Sequence, residues 1–265
     1  MQKTKEFDQT HGFFSAKKID HIVMLKFNEN LLFSATDLNI KQPLFDYLEL
    51  ISKSDEIKVV LFMGSPQKRG CEEYVEFYPK AFETEFGQYA IERLYNAVNQ
   101  FILNIVALNK ITVHADSGKV ISLFLNVSLA CNYRVVADDT VFENPCLKLG
   151  LVPKGGGGFF LPKMLGASRA LEILLSEEDL SARKALELGI VDRLVSADKL
   201  ENAALETAQG FARKPGTTLS GVKRLLSYSM KDLADYLQLE NEVLMRIGRS
   251  QEFQKRLREC APDGL

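Results

Sequence analysis

The 265-residue chain is 46% hydrophobic and 26% charged, which is the balance of one large globular domain or a core with a small appendage. With 33 basic against 35 acidic residues its formal net charge is -2, which argues against nucleic acid or an anionic membrane as the main partner. No apolar run reaches membrane-spanning length and the polar start MQKTKEFDQTHGFF has no signal-peptide core, so a cytoplasmic location is expected.

Strand and helix patterns alternate along most of the chain. Residues 1–20 read as a leader into a strand at 21–27, HIVMLKF. After a loop at 28–36, Asp37 is placed to cap a helix to about 52, with Leu44, Tyr47, Leu48 and Ile51 on one face. A buried strand is predicted at 57–63, then a loop at 64–74, GSPQKRGCEEY, basic at Lys68 and Arg69 with Gly70 at its middle. A helix over 88–104, a strand over 110–115 and a turn at 116–118 follow. The apolar stretch 120–130 reads as helical, with Asn126 its only amide. That context makes the NVS triplet at 126–128 a coincidental match to a glycosylation site. Strands at 133–137 and around Val141 and Phe142 precede a glycine-rich stretch at 144–161. Helices are expected at 159–165, at 168–175 and at 182–188, where Ser181 is a good N-cap and Gly189 sits in the C-cap place. An extended segment at 190–195 closes the alternation. Helices at 197–211, 217–226 and 232–247 and a charged tail come last. The order implies an α/β core over 1–195 and a helical region over 196–265.

The cysteines Cys71, Cys131, Cys146 and Cys260 match no compact zinc or disulfide framework and are expected as free thiols. No pair among His11, His21 and His114 has metal-ligand spacing. A structural role is expected for each, His21 and His114 within strands, and no metal is expected. The densest local signal is Gly155 to Gly158 behind Pro153 and Lys154. Such a run marks special backbone dihedrals or amides brought close to a partner. A helix start behind it turns those amides toward an anion or carbonyl; a long surface loop is the other reading. No GxGxxG opens a helix after the first strand and no GK[ST] follows the glycines, which excludes dinucleotide and Walker A sites.

From 130 onward the chain reads Cys131-Asn132, Phe142-Glu143-Asn144-Pro145-Cys146, Leu149-Gly150, Pro153 and Gly156-Gly157, then SARKALELGIV at 181–191. These residues resemble the F-x-x-P-E, L-G-x-x-P-x-x-G-G and S-A-x-E-A-x-x-x-G-L-V runs of the crotonase superfamily, the enoyl-CoA hydratase/isomerase family. The resemblance implies an α/β fold, a crotonase-like spiral of ββα units with a C-terminal helical region that makes trimers or dimers of trimers. It also implies an acyl-CoA thioester as ligand, with CoA entering as part of the substrate and no separate cofactor. Two backbone amides would form an oxyanion hole at the thioester carbonyl, where fixed donors stabilise an enolate-like state more than the ground state.

The resemblance puts the first donor near Cys71, where Arg69-Gly70-Cys71-Glu72 replaces a common A-G-A-D in a shorter loop. It puts the second near Leu123, where Ser122-Leu123-Phe124 replaces three glycines. The two glutamates with which hydratases handle water fall on Asn126 and Cys146. An amide only holds or orients a group. A thiol either titrates, from an ordinary pKa near ~8.5, or fills the vacated volume. Lys154 stands where relatives that shift double bonds or decarboxylate carry a reactive Asp or Tyr. It is a candidate to protonate an enolate or hold a carboxylate, with solvent or a CoA phosphate as its other destinations. Glu143 is the acid nearest the missing pair, and Glu72 and Glu73 flank the first donor. Lys68, Arg69, Gly70 and Glu72 make up the expected CoA-facing loop. The expected activity is isomerase or decarboxylase/lyase chemistry rather than two-glutamate hydration. The alternative is an inactive CoA-ester-binding or structural homologue.

Overall fold

The computed structural model describes residues 6–28, 31–82 and 87–260. Residues 1–5 of the expected leader, 29–30 of the first loop, 261–265 of the tail and the Cys260 side chain lie outside the described residues.

The main sheet runs in the order β1 (Gln9–Thr10), β2 (Phe14–Ile19), β3 (Ile22–Phe27), β4 (Val59–Met63), β5 (Ile111–Asp116), β7 (Tyr133–Ala137) and β10 (Arg193–Val195). A second sheet is ordered β6 (Lys119–Ile121), β8 (Val141–Glu143) and β9 (Leu180–Ser181). The first three strands pair antiparallel, and from β3 to β10 every pairing is parallel. Parallel strands covered on both faces read as unbroken apolar runs, and every residue of β4 is buried. In β5 the two faces diverge. Ile111, Val113 and Ala115 pack with Leu200, Ala204, Ala208 and Ala212 of the helix Leu200–Ala212. Strand alternation turns Thr112, His114 and Asp116 to the opposite face, where His114 and Asp116 look toward the helix Gly87–Ala107.

Several segments differ from the sequence expectation, among them a one-turn helix Leu31–Ser34 inside the expected loop and the strand Lys119–Ile121 at the start of the stretch expected to be helical. The leader contains β1 and β2: Phe14 is fully buried, 5.7 Å from the Tyr47 ring, and Lys17 and Lys18 mask its alternation. The loop from 64 ends at Gly70, because Cys71–Phe82 is a helix with Glu72 and Glu73 in its first turn. Acids favour that position through the helix dipole; Pro79 inside the helix hid it. Pro145–Lys148 is a one-turn helix, and Gln251–Cys260 is a helix within the charged tail. His21 lies in the turn before β3, not in a strand. The caps formed as expected: Asp37 accepts from the Asn39 amide at 2.8 Å and Ser181 from the Lys184 amide at 3.2 Å.

The region after 195 shares the core. Its first helix covers the back of the main sheet, and Phe253 of the last one stacks edgewise on Tyr78 at 5.9 Å. Between them, Leu233–Gly248 buries Leu233, Leu237, Glu240, Asn241 and Leu244.

Candidate active site

The glycine run does meet an anion, and the anion is internal. Glu240 accepts from the amides of Gly155 at 3.1 Å and Gly156 at 2.9 Å, and from the Lys154 ammonium at 2.6 Å. Lys154 also donates to Asn99 Oδ1. Neither member of the pair is solvent-accessible: the side chains are 1% and 3% exposed. Burial holds the Lys154 pKa below its usual value, and Glu240 works against that lowering. Lys154 therefore reaches neither solvent nor a CoA phosphate, and it stands with Glu240 and Asn99 rather than with Glu143. The backbone there needs glycine. Gly155 and Gly156 have φ of 105° and 82°, the left-handed side that side chains disfavour. A Cβ on Gly157 would lie 2.6 Å from Asn126 Oδ1.

The first expected donor also has an internal acceptor. Cys71 opens the helix Cys71–Phe82, so its N–H has no partner within the helix. Glu143 Oε2 accepts from it at 2.5 Å. Glu143 ends β8 in register with Ile121, the residue just before the helix Ser122–Ser128 that carries Leu123. The carboxylate thus sits between the two segments expected to hold an oxyanion. It is 8% exposed, and Lys119 Nζ lies 3.7 Å from Oε1. Gly70, at φ 64°, makes room: a Cβ there would collide with Glu143 Oε2. Burial, then the Glu143 contact, pushes the Cys71 thiol up to about 12, so it stays protonated near neutrality.

Asn126 and Cys146 are both buried, which also removes the NVS triplet from any modifying enzyme. Asn126 Nδ2 donates to the Lys154 carbonyl at 3.0 Å, fixing the start of the glycine run. Cys146 is completely buried, its sulfur 3.8 Å from both Tyr74 Oη and Ser122 Oγ. Burial raises its pKa, so it is a thiol and not a thiolate. Tyr74 continues into a hydroxyl chain: Tyr78 donates to Tyr74 at 3.4 Å and shares a 2.7 Å hydrogen bond with Tyr95. Leu123, with Tyr74, Cys146, Leu149 and Leu151, belongs to the same apolar cluster.

The expected CoA-facing loop divides. Arg69 faces outward with a two-pronged pair to Glu76 at 2.6 and 2.8 Å, and Glu72 is exposed. Lys68 turns inward, 9% exposed, against Asp116. It lines an apolar chamber of about 100 Å³ and not the surface. A second cleft of about 570 Å³, with a mixed polar and apolar lining, is bordered by Ser122, Asn126, Asn144 and Pro153 together with Phe142 and Leu161. Neither cavity is lined by Cys71, Glu143 or Cys146. Cys71, Cys131 and Cys146 are free thiols. Sequence reasoning missed Glu240, although it falls on the apolar spacing of Leu233, Leu237 and Leu244. It also missed the tyrosine chain and the partners of Lys68.

A sequence profile described as enoyl-CoA hydratase/isomerase matches residues 20–260. The chain belongs to the enoyl-CoA hydratase/isomerase family. It is 22% identical over 238 residues to a trans-2-decenoyl-[acyl-carrier-protein] isomerase of Streptococcus mutans, across 89% of this chain and 90% of that one. Over 98 residues it is 40% identical to a fatty acid oxidation complex subunit alpha of Pseudomonas syringae, which is 37% of this chain and 14% of the relative. Its fold superposes on an enoyl-CoA hydratase of Bacillus halodurans with a TM-score of 0.79 at 18% identity, covering 94% of this chain and 100% of that one. An enoyl-CoA hydratase/isomerase of Pseudoalteromonas atlantica gives 0.74 at 23% identity, covering 93% and 95%. The crotonase fold expected from the motifs is the fold observed. Among the described residues, no helix is long and apolar enough to cross a membrane.

Proposed function

We propose that this family member is an acyl-thioester isomerase that moves a carbon–carbon double bond with a single carboxylate, Glu143. The observation that carries this reading is Glu143 Oε2 at 2.5 Å from the Cys71 amide. A thioester oxygen that takes over the Cys71 N–H displaces the carboxylate by about one atom, leaving it beside the carbons next to the carbonyl. Glu143 then accepts a proton from one carbon, the C–H electron pair moves into a dienolate, and the charge settles on the thioester oxygen. The Cys71 and Leu123 amides hold that oxygen. The same carboxyl returns its proton at the other end of the conjugated system, so no water is consumed and one acid/base group suffices. Hydration by two glutamates finds only Asn126 and the thiol of Cys146. The isomerase of Streptococcus mutans is a relative consistent with this chemistry. In this reading the thioester carrier is CoA, with a carrier protein as the comparison, and the active form is a homotrimer or dimer of trimers built through 196–265.

Lys154, Cys146 and Asn126 act here as positioning or packing residues. Arg69, Gly70 and Glu72 form the entrance beside the first donor. A second reading, a catalytically silent thioester-binding homologue, draws on the Tyr74 hydroxyl packed 3.8 Å from Cys146, which fills the space beside the donors. One assay separates the two. Trans-2- and cis-3-enoyl thioesters on CoA and on acyl carrier protein are incubated in deuterated water, and double-bond position and deuterium uptake are followed. Isomerisation with uptake at one end is expected, and Glu143→Gln should lower the rate by roughly 10²–10⁴-fold. Full activity in Glu143→Gln removes the carboxylate from the reaction, and binding without uptake establishes the silent reading.

A further inference from the structure

The inward turn of Lys68 creates a group of polar side chains that the isomerase reading does not use. Its ammonium meets Asp116, whose side chain is 4% exposed, at one end of the apolar chamber. His114 lies beside them on β5, its Nε2 3.9 Å from Asp116 Oδ2 and so beyond hydrogen-bond reach. His114 Nδ1 is fully buried and has no hydrogen-bond partner. Burial, helped by Lys68 and Arg134, pushes the His114 pKa down to about 3, so the ring is neutral and one nitrogen donates while the other accepts. The remaining walls are mostly apolar side chains such as Phe62, Leu94, Val98 and Phe101, with Lys41, Ser65 and Ser128 as the polar exceptions. Leu123 and Phe124 belong to the wall as well, from the helix start that carries the second donor.

We propose that this chamber is a binding site for a small neutral group that is mostly hydrocarbon and carries one hydroxyl or carbonyl oxygen. The oxygen is held by His114 Nδ1 and the Lys68 ammonium, and the hydrocarbon packs on the aromatic wall. Three arguments select that chemistry. Charge comes first: Lys68, when protonated, balances Asp116 and His114 is neutral, so the groups around His114 call for no charged ligand, and Lys41, the other cation on the wall, comes from the separate helix Leu38–Lys53. Hydrogen bonding comes second: a pure hydrocarbon leaves His114 Nδ1 unsatisfied, at the cost that buried polar groups ordinarily avoid. Volume comes third. A cavity of about 150 Å³ accommodates benzene, so the 100 Å³ here suits roughly four or five non-hydrogen atoms. The site does not depend on the isomerase reading. The ligand is either a free small molecule or the far end of an acyl thioester that enters past Leu123.

The probes are 2-butanol and its methyl isostere 2-methylbutane as free ligands, and 4-hydroxybutyryl and butyryl pantetheine thioesters as tethered ones. Binding is measured by NMR titration, reading the His114 ring-nitrogen shifts in the wild-type protein. It is repeated with His114→Leu and with Lys68→Met/Asp116→Leu, which leaves no charge of that pair unpaired. The expected result is a His114 nitrogen shift with the oxygenated probe alone, and a loss of about tenfold in its preference over the isostere in each variant, the size of one hydrogen bond. Dependence in the free pair assigns a free ligand, and dependence in the thioester pair assigns an acyl tail. An unchanged preference in both variants, or a chamber holding only water at saturating 2-butanol, overturns the proposal. Because free alcohols need no thioester site, this result is independent of whether Glu143 performs isomerisation.

Discussion

At the scale of single residues, the chain has taken the features that usually await a ligand and supplied them with its own side chains. The glycine amides hold Glu240, and the Cys71 amide holds Glu143. For the first of these the energetic order is clear. Two charges brought out of water repay their desolvation only with good geometry and further hydrogen bonds, and Glu240 has a lysine and two amides. Removing one partner strands the other. Lys154→Met is therefore expected to cost about 3–5 kcal/mol in chemical denaturation. Lys154→Met/Glu240→Gln should recover part of that loss, because the neutral amide still accepts from the glycine backbone. A cost below about 1 kcal/mol for the single variant would mean that the pair does not anchor the loop.

At the scale of elements, helices Cys71–Phe82 and Gly87–Ala107 close over Cys146. Tyr74 and Tyr78 come from the first and Tyr95 from the second, and all three are fully buried with pKa values raised well above 10 by burial. Cys146 fits beneath them because a thiol is small and tolerates a weak partner. Cys146→Glu is expected to lose several kcal/mol, as a carboxyl enters a filled apolar site. It should gain no enoyl-thioester hydration; measurable hydratase activity in this variant would show that the cluster opens. Tyr78→Phe, which removes the hydroxyl bonded to both neighbours, should cost about 1–2 kcal/mol. The same elements show what the sequence could and could not reveal. The apolar run of β4 and the capped SARKALELGIV helix were legible because local spacing decides them. The Cys71–Glu143 hydrogen bond joins residues 72 apart and leaves no local pattern. The polar face of β5 was present as Thr112, His114 and Asp116 at alternate positions. Which side it faces is settled only by the helix Leu200–Ala212 on the other side.

At the scale of the whole molecule, buried bases set the response to pH. His114 falls to about 3, Lys68 to about 7 and Lys223 to about 8, each chiefly through burial. Each is depressed below its unfolded value, so the unfolded chain binds more protons and stability rises with pH across each interval. The intervals run from about 3 to 6.5 for His114, and from about 7 or 8 to 10.4 for the lysines. Thiols act in the opposite sense: Cys71 and Cys131 are raised to about 12 and 11, so the unfolded chain loses protons first and stability falls above about 8.5. The two trends offset each other between about pH 8.5 and 10.4, so the melting temperature is expected to rise to a plateau there and to decline only above it, well above the isoelectric point of about 6.0. A tenfold difference in proton affinity between the folded and unfolded chain is worth about 1.4 kcal/mol, so the acid limb should carry several kcal/mol. His114→Leu should flatten that limb below pH 6.5 without moving the alkaline decline. A calorimetric scan from pH 4 to 10 with its maximum at or below 6 would mean that these bases keep their charge in the folded protein.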